Sequence, residues 1–335
     1  MEFNAPATEN LFDRAKLVGK STPRIDGPLK VSGAAPYAAE RHDVVAGQAY
    51  GWIVGAAIAK GRIRSMELGD ALRAARAAAS LIRTQYDAAD GVHDLARVKG
   101  AAKIGTGFSG ESMKDTLGDF HGAFGGAAVK IDATYTTPDE AHAMMEPFAT
   151  IAAWEGDKLT VWTSNQMINW GKRALASILG IEADNVRLDS PYVGGGFGGK
   201  LFIRADAVMA ALGAKAAKRP VKIAMQRPLM FNNSTHRPAT IQRVRLGAGS
   251  DGRITAIAHE CWSANITGED GEHGTLQTPK LYTGANRLTA SYVSQIDLPE
   301  GNAMRAPGEA PGHMALEVAM DELAEQAGID PVELR

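Results

Sequence analysis

Residues 240–265, TIQRVRLGAGSDGRITAIAHECWSAN, alternate apolar and polar side chains on both sides of a glycine-rich turn at Gly247–Gly252. Successive strand residues point to opposite faces, so this pattern predicts two long strands joined as a hairpin, one face of which must be buried. A lone hairpin is barely stable in water, so further strands and a covering layer have to come from elsewhere in the chain. AAVKIDATYTT at 127–137 and TIAAWEGDKLTVWTSN at 150–165 repeat the period-two pattern. This strand-rich unit starts at about Ala128.

Helices alternate with these strands. Trp170–Leu179 closes at Gly180, where the left-handed residue after a helix belongs. Arg204–Lys218 stops before Pro220. Gly312–Ala327 carries Met314, Leu316, Val318, Met320 and Leu323 among acidic residues and ends at Gly328. Asp330 and Pro331 then cap and open another helix, which is interrupted at Arg335. Upstream, residues 1–36 read as an irregular lead-in to a strand, and YGWIVGAAIAKGRI from Tyr50 as a buried strand closed by Lys60 and Gly61. Asp70–Tyr86 is alanine-rich with Leu72, Ala75, Ala79 and Ile82 at helical spacing, which predicts a helix. Residues 90–125, glycine-rich with mixed charges, read as a linker. A length of 335 residues favours two domains over one.

Composition removes several classes of function. Thirty-six basic against thirty-eight acidic side chains leave a formal charge of −2, too balanced for the cationic surface that nucleic acid requires. Cys261 is the only cysteine, so the chain holds no internal disulfide and no cysteine-ligated zinc or iron–sulfur site of its own. No apolar run approaches the roughly 20 residues of a membrane helix. The first twenty residues contain acidic side chains and no apolar centre, unlike a signal peptide.

VGGGFGGKLF at 193–202 fits two nucleotide motifs at once, G-x-x-x-x-G-K and G-x-G-x-x-G. A phosphate loop needs a hydroxyl after its lysine to ligate magnesium, and Leu201 stands there. A dinucleotide loop needs an acidic residue ending the next strand, but Val221–Met225 runs into Gln226 and Arg227. What remains is a backbone able to pass close to a bulky partner, or a tight strand-to-helix turn.

Three other segments embed polar residues where packing does not call for them: HAMMEPFA at 142–149, TSNQMINW at 163–170 and EGNAMRAPGEAPGHMALE at 300–317. With GGGFGGK, TPRIDGPLKVSGAAPY at 22–37 and DELAEQAGIDPVE at 321–333, this ordered set resembles the molybdenum-binding large subunit of the xanthine oxidase and aldehyde oxidoreductase family. Within that family it is most similar to the bacterial periplasmic aldehyde oxidoreductase type. The likeness covers nearly the whole chain.

The resemblance implies an α+β fold: a small mixed α/β hammerhead-like domain with its lead-in and linker over residues 1–115, then the first part of the molybdopterin-binding domain over 116–335. It implies molybdenum on a molybdopterin, in the cytosine dinucleotide form, with no metal ligand from the protein. A lone Cys261 agrees with that and reads as a small buried strand residue. Gln166 matches the glutamine whose amide faces the metal's oxo ligand. Gly195, Gly196, Phe197 and Gly198 match the loop beside the centre, with Phe197 and Leu201 lining the substrate pocket. Ala303, Met304 and Arg305 match the loop that holds the pterin. Without the resemblance, Gln166 reads as a strand-end residue facing water and 303–305 as a helix-capping loop. His142 and Glu146 read as buried ties between loops, and His236 and Arg237 as a strand entry with satisfied side chains.

Two departures from the family stand out. Its catalytic glutamate lies beyond Arg335, so no catalytic residue is assigned, and the strands expected after AIAKGRI are missing before the alanine-rich helix. Purine-oxidising relatives carry a glutamate after GGGFGGK. Leu201 there favours an aldehyde, because a purine's donors would be left unpaired against leucine. The implied activity is oxidation of aldehydes to carboxylic acids with water as oxygen source, electrons passing to iron–sulfur and FAD partner subunits. The alternative is a non-catalytic half-subunit serving assembly or binding, with purine oxidation third. The family type implies the periplasm, reached by co-export with a partner, the cytoplasm being the other location.

Overall fold

The computed structural model describes residues 21, 23–42, 44–67, 75–107, 109–232, 234–282 and 284–335. The reading of the first twenty residues, and the Asp70 and Leu72 end of the expected helix, lie outside them.

Two sheets carry the strand-rich unit. The hairpin read from 240–265 forms as Thr240–Ala248 and Ile254–Asn265, antiparallel with Ile241 opposite Trp262, and its register shifts at Gly247/Ala248. Val129–Thr137 pairs on one side, and Arg287–Gln295 runs parallel on the other. Helix Glu309–Ala327 covers this sheet, burying Ala315, Leu316, Ala319, Met320 and Leu323 against Val244, Leu246 and Ile257. Leu316, Met320 and Leu323 follow the i, i+4, i+7 face of a helix. Met314 and Val318, the other apolar residues of the segment, are exposed.

The second sheet orders Ala49–Gly51, Val221–Ala224, Ala149–Glu155, Lys158–Thr163 and Val186–Asp189. Helices Ile168–Leu179 and Ala205–Ala217 close over it, with Leu175, Ala210, Ala211 and Ala214 packed on Ala152, Val161 and Ile223. Gly180 and Gly328 take the left-handed conformation after their helices. Asp330 caps the last helix through the amides of Val332 and Glu333. Helices packed on mixed sheets, in which antiparallel pairings outnumber parallel ones, make the fold α+β.

The upstream third departs from the periodicity reading in four places. The lead-in contains a short helix, Gly27–Val31, opened by Pro28. The strand expected from Tyr50 to Ile63 splits into Ala49–Gly51 and Gly61–Glu67. Gly51 packs so closely on Ile223 that a Cβ would lie 2.7 Å from its side chain. Ala75–Leu81 is helical as expected, but Arg83–Ala88 is a strand paired with Gly61–Glu67. Pairing with a neighbour there overrides alanine-driven helix propensity. Finally, the supposed linker holds Lys103–Ile104 and Lys114–Leu117, both paired on Arg287–Gln295, and helix Phe120–Gly126 capped by Asp119. Those strands are short and face water, so they leave no alternation to detect. A boundary at 115/116 falls within the strand Lys114–Leu117.

Candidate cofactor site

Sheet topology decides which loops meet. Ala149–Glu155 begins at the end where Lys158–Thr163, Val186–Asp189 and Val221–Ala224 finish. Segments 142–148, 164–167, 190–204 and 225–227 therefore leave the sheet together. The loop 300–306 joins them from the other sheet: the Asn302 amide donates to the His236 carbonyl at 3.0 Å, and Asn265 bonds both the amide and the carbonyl of Gly301.

Glycine loop and 303–305 loop are in direct contact. The Arg305 amide donates to the Phe197 carbonyl at 2.8 Å. Gly198 has φ +99, and a Cβ there would lie 2.4 Å from the Ala303 carbonyl oxygen. Gly195 is also left-handed, and so is Phe197 at φ 52, a conformation that strains a residue with a side chain. Gly198→Ala is accordingly expected to cost about 1–3 kcal/mol and to separate the two loops, read as a lower denaturation midpoint with faster exchange of the Arg305 amide.

Gln166 emerges from the strand end into an exposed position. Its Oε1 accepts from the amides of Gly198 and Lys200, each at 3.2 Å, and a Cβ on Gly196 would fall 2.3 Å from that oxygen. Two donating amides require an acceptor, which fixes the orientation of the side-chain amide and turns its NH2 away from the loop. Nε2 has no partner among the described residues. Asn165 supports this arrangement, its amide donating to the carbonyls of Lys200 and Leu201 while its Oδ1 accepts from the Met167 amide.

Lys200 points the other way. It is fully buried, and its three protons go to the Glu146 carboxylate at 2.8 Å, the Glu146 carbonyl at 3.1 Å and the Ser164 hydroxyl at 3.1 Å. Burial lowers the pKa of its ammonium while Glu146 supports the charge. No donor is left for a phosphate, which disposes of the phosphate-loop reading on geometric grounds. Glu146 Oε2 also accepts from Ser164 and from the Gly194 amide. His142 donates from Nε2 to the Ala303 carbonyl at 2.9 Å, and burial keeps its pKa below the ordinary histidine value. Both residues tie loops together, as their setting in the sequence suggested. His236 makes a 3.2 Å contact with Asp139.

Phe197 is 45% exposed, Arg305 is exposed without an ion pair among the described residues, and Met304 and Leu201 are half-buried. The structure thus brings Gln166, the 195–198 loop, Leu201 and 303–305 onto one face, displaying free donors beside an aromatic ring. A separate cavity of about 1080 Å3 is lined by 56–59, Arg204, Thr235 and Glu300 but by none of these residues. No group of three His, Cys, Asp or Glu able to hold a metal occurs among the described residues. Cys261 is buried in its strand, and burial pushes its thiol up to about 12.

Sequence reasoning missed Ser164 and Asn165 as supports of the loop; it read Arg237 as a strand entry with a satisfied side chain, which it is, but not that Arg227 and Arg237 hold loop carbonyls. Arg227 donates to the carbonyls of Met144 and Met145. Ser164 and Asn165 stood inside a quoted motif, but only burial shows that they serve the loop from behind. No helix among the described residues is long and apolar enough to cross a membrane.

A family model for the molybdopterin cofactor-binding domain matches residues 107–335. The aldehyde oxidoreductase molybdenum-binding subunit PaoC of Escherichia coli (strain K12) is 49% identical over 387 aligned positions, covering all of this chain and 52% of the relative. The chain thus spans about half the length of that relative. Quinoline 2-oxidoreductase from Pseudomonas putida 86 superposes with a TM-score of 0.84 at 19% identity, over 95% of this chain and 49% of the other. Aldehyde oxidoreductase from Desulfovibrio gigas gives 0.82 at 20% identity, over 93% and 42%.

Proposed function

The chain belongs to the molybdopterin cofactor-binding family of molybdenum hydroxylase large subunits, and from that premise we propose that it forms the cofactor-facing wall of an aldehyde-oxidising enzyme. The observation that carries this reading is the convergence of Gln166, the 195–198 loop and 303–305 with their unpaired donors outward. The residues fit a molybdopterin, since an oxygen-rich group attached to a metal wants neutral and cationic donors and a backbone it can approach closely. When bound, that cofactor, in its cytosine dinucleotide form, supplies the redox chemistry that converts an aldehyde and water into a carboxylic acid.

The chain's own part is binding and orientation. Gln166 Nε2 donates to the cofactor's oxygen ligand, with Oε1 pinned by two amides so that the donor cannot turn away. Phe197 and Leu201 form an apolar wall that admits an aldehyde and leaves a purine's donors unsatisfied. Arg305 and the amides of its loop hold the pterin. Electrons leave through iron–sulfur and FAD subunits, and co-export with them places the complex in the periplasm.

Molybdenum and pterin content of the purified chain, followed by aldehyde-dependent dye reduction after reconstitution with the remaining half-subunit and partners, tests the proposal. Gln166→Ala is expected to lower turnover about 10–100-fold while the chain stays folded, its midpoint falling only by the loss of the two amide contacts on Oε1. Parent-like turnover would remove Gln166 from its role, and faster oxidation of hypoxanthine than of benzaldehyde would overturn the substrate class. Because the chain spans about half of PaoC, a second reading keeps it as a cofactor-holding or assembly module. Pterin retention without turnover in the reconstituted system would select that reading.

A further inference from the structure

Arg237 stands just before the strand Thr240–Ala248 and is 3% exposed, yet its guanidinium serves the loop opposite. Nη1 donates to Glu272 Oε1 at 2.8 Å and to the Ala306 carbonyl at 3.2 Å, and Nη2 donates to the Arg305 carbonyl. Nε lies 3.2 Å from a Glu140 carboxylate oxygen but is aimed too poorly for a hydrogen bond. The buried Glu272 accepts at the same Oε1 from the Gly308 amide at 2.6 Å. One buried ion pair therefore grips carbonyls 305 and 306 and amide 308.

Peptide geometry connects this grip to the cofactor-facing side. In a trans peptide the N–H points opposite to the C=O of the same unit. A 305 carbonyl directed at Arg237 sends the Ala306 N–H outward, and that amide has no acceptor among the described residues. Ala306 holds φ 58, a left-handed conformation that costs a residue with a Cβ and persists only where its surroundings enforce it. Lysine cannot replace the fork that spans two carbonyls and a carboxylate, because its ammonium is a point charge without planar donors.

We propose that the Arg237–Glu272 pair is the positioning clamp of the 303–308 loop, holding Ala306 left-handed and thereby fixing the direction of its N–H and the placement of Arg305 against Phe197. The functional sense of the clamp rests on the reading of this face as a cofactor cradle.

Hydrogen exchange on the 335-residue chain tests it through the Arg305 and Gly308 amides, both of which have acceptors. Arg237→Lys should speed their exchange about tenfold or more, roughly the loss of one charge-assisted hydrogen bond, while the hairpin 149–163 exchanges as in the parent. Glu272→Gln keeps an acceptor for both donors and should give a smaller rise at the same two amides; it decides the matter if Arg237→Lys does not fold. Parent-like exchange at 305 and 308, or an equal rise across the hairpin 149–163, would overturn the clamp. Pterin content of the same preparations separates the two proposals. A parent chain without pterin but with the local exchange effect upholds the clamp and defeats the cofactor reading, whereas retained pterin with unaltered exchange does the reverse.

Discussion

Lys200→Met should destabilise the chain by about 3–5 kcal/mol, the usual cost of leaving a buried charge without its partner. Glu146 is almost as buried as Lys200, and its Oε1 already lacks a hydrogen bond, so removing the ammonium strands a carboxylate with only the Ser164 hydroxyl and the Gly194 amide to support it. Lys200→Met combined with Glu146→Gln should recover on the order of 2 kcal/mol, because the pair carries a desolvation cost that a neutral amide and a thioether avoid. The amide oxygen at 146 keeps both donors. Urea denaturation midpoints of the parent, the two single variants and the double variant measure this coupling. If the double variant is less stable than Lys200→Met alone, the ion pair is not what holds the glycine loop to the strand ends. ATP binding by the parent, sensitive to Lys200→Met, would contradict the buried position altogether.

Lys200 also marks how far the sequence could be read. GGGFGGK was legible as a loop whose backbone approaches a partner closely, and Leu201 already argued against a phosphate. What the pattern could not show is that the lysine turns inward, since its partners Glu146 and Ser164 lie 54 and 36 positions away. The same limit applies to Arg237, which reads locally as a strand entry and acts on carbonyls 68 and 69 positions downstream. Strands with one buried face, such as Thr240–Ala248, were legible because burial imposes period two. Lys103–Ile104 and Lys114–Leu117 were not, because strands this short and exposed take their identity from the neighbour they pair with. Gln166 was assigned by likeness alone. Its geometric warrant, two amides on Oε1, exists only once 163–166 and 196–200 have met.

Acid should destabilise the fold before its lowered carboxylates, such as Asp132 and Asp139, protonate, and His259 is the reason. Its ring is fully buried, with Nδ1 2.7 Å from the Thr278 hydroxyl and Nε2 2.9 Å from Gln242 Oε1. Gln242 Oε1 only accepts, so Nε2 carries the proton and Nδ1 accepts from Thr278, which satisfies a neutral ring. Gln242 continues the chain by donating to Thr240 and to the Pro311 carbonyl, linking the central hairpin to the helix that covers it. Burial holds the His259 pKa down to about 3, against 6.5 for a free histidine. The unfolded chain therefore binds an extra proton between those values. The contribution is fully present above pH 6.5 and falls as pH drops towards 3, by up to about 1.4 kcal/mol per unit and on the order of 5 kcal/mol in total. Between pH 6.5 and about 5 the lowered carboxyls of Asp132 and Asp139 are ionised in the folded and the unfolded chain alike and contribute no slope, His142 adds to the slope in the same direction, and Asp206, whose buried carboxyl is raised, opposes it. Urea midpoints taken across that window for the parent, His142→Gln and His259→Gln assign the slope. His259→Gln is expected to lower stability at pH 7 but to flatten the acid dependence, and a slope as steep as the parent's would mean that another group takes up the proton.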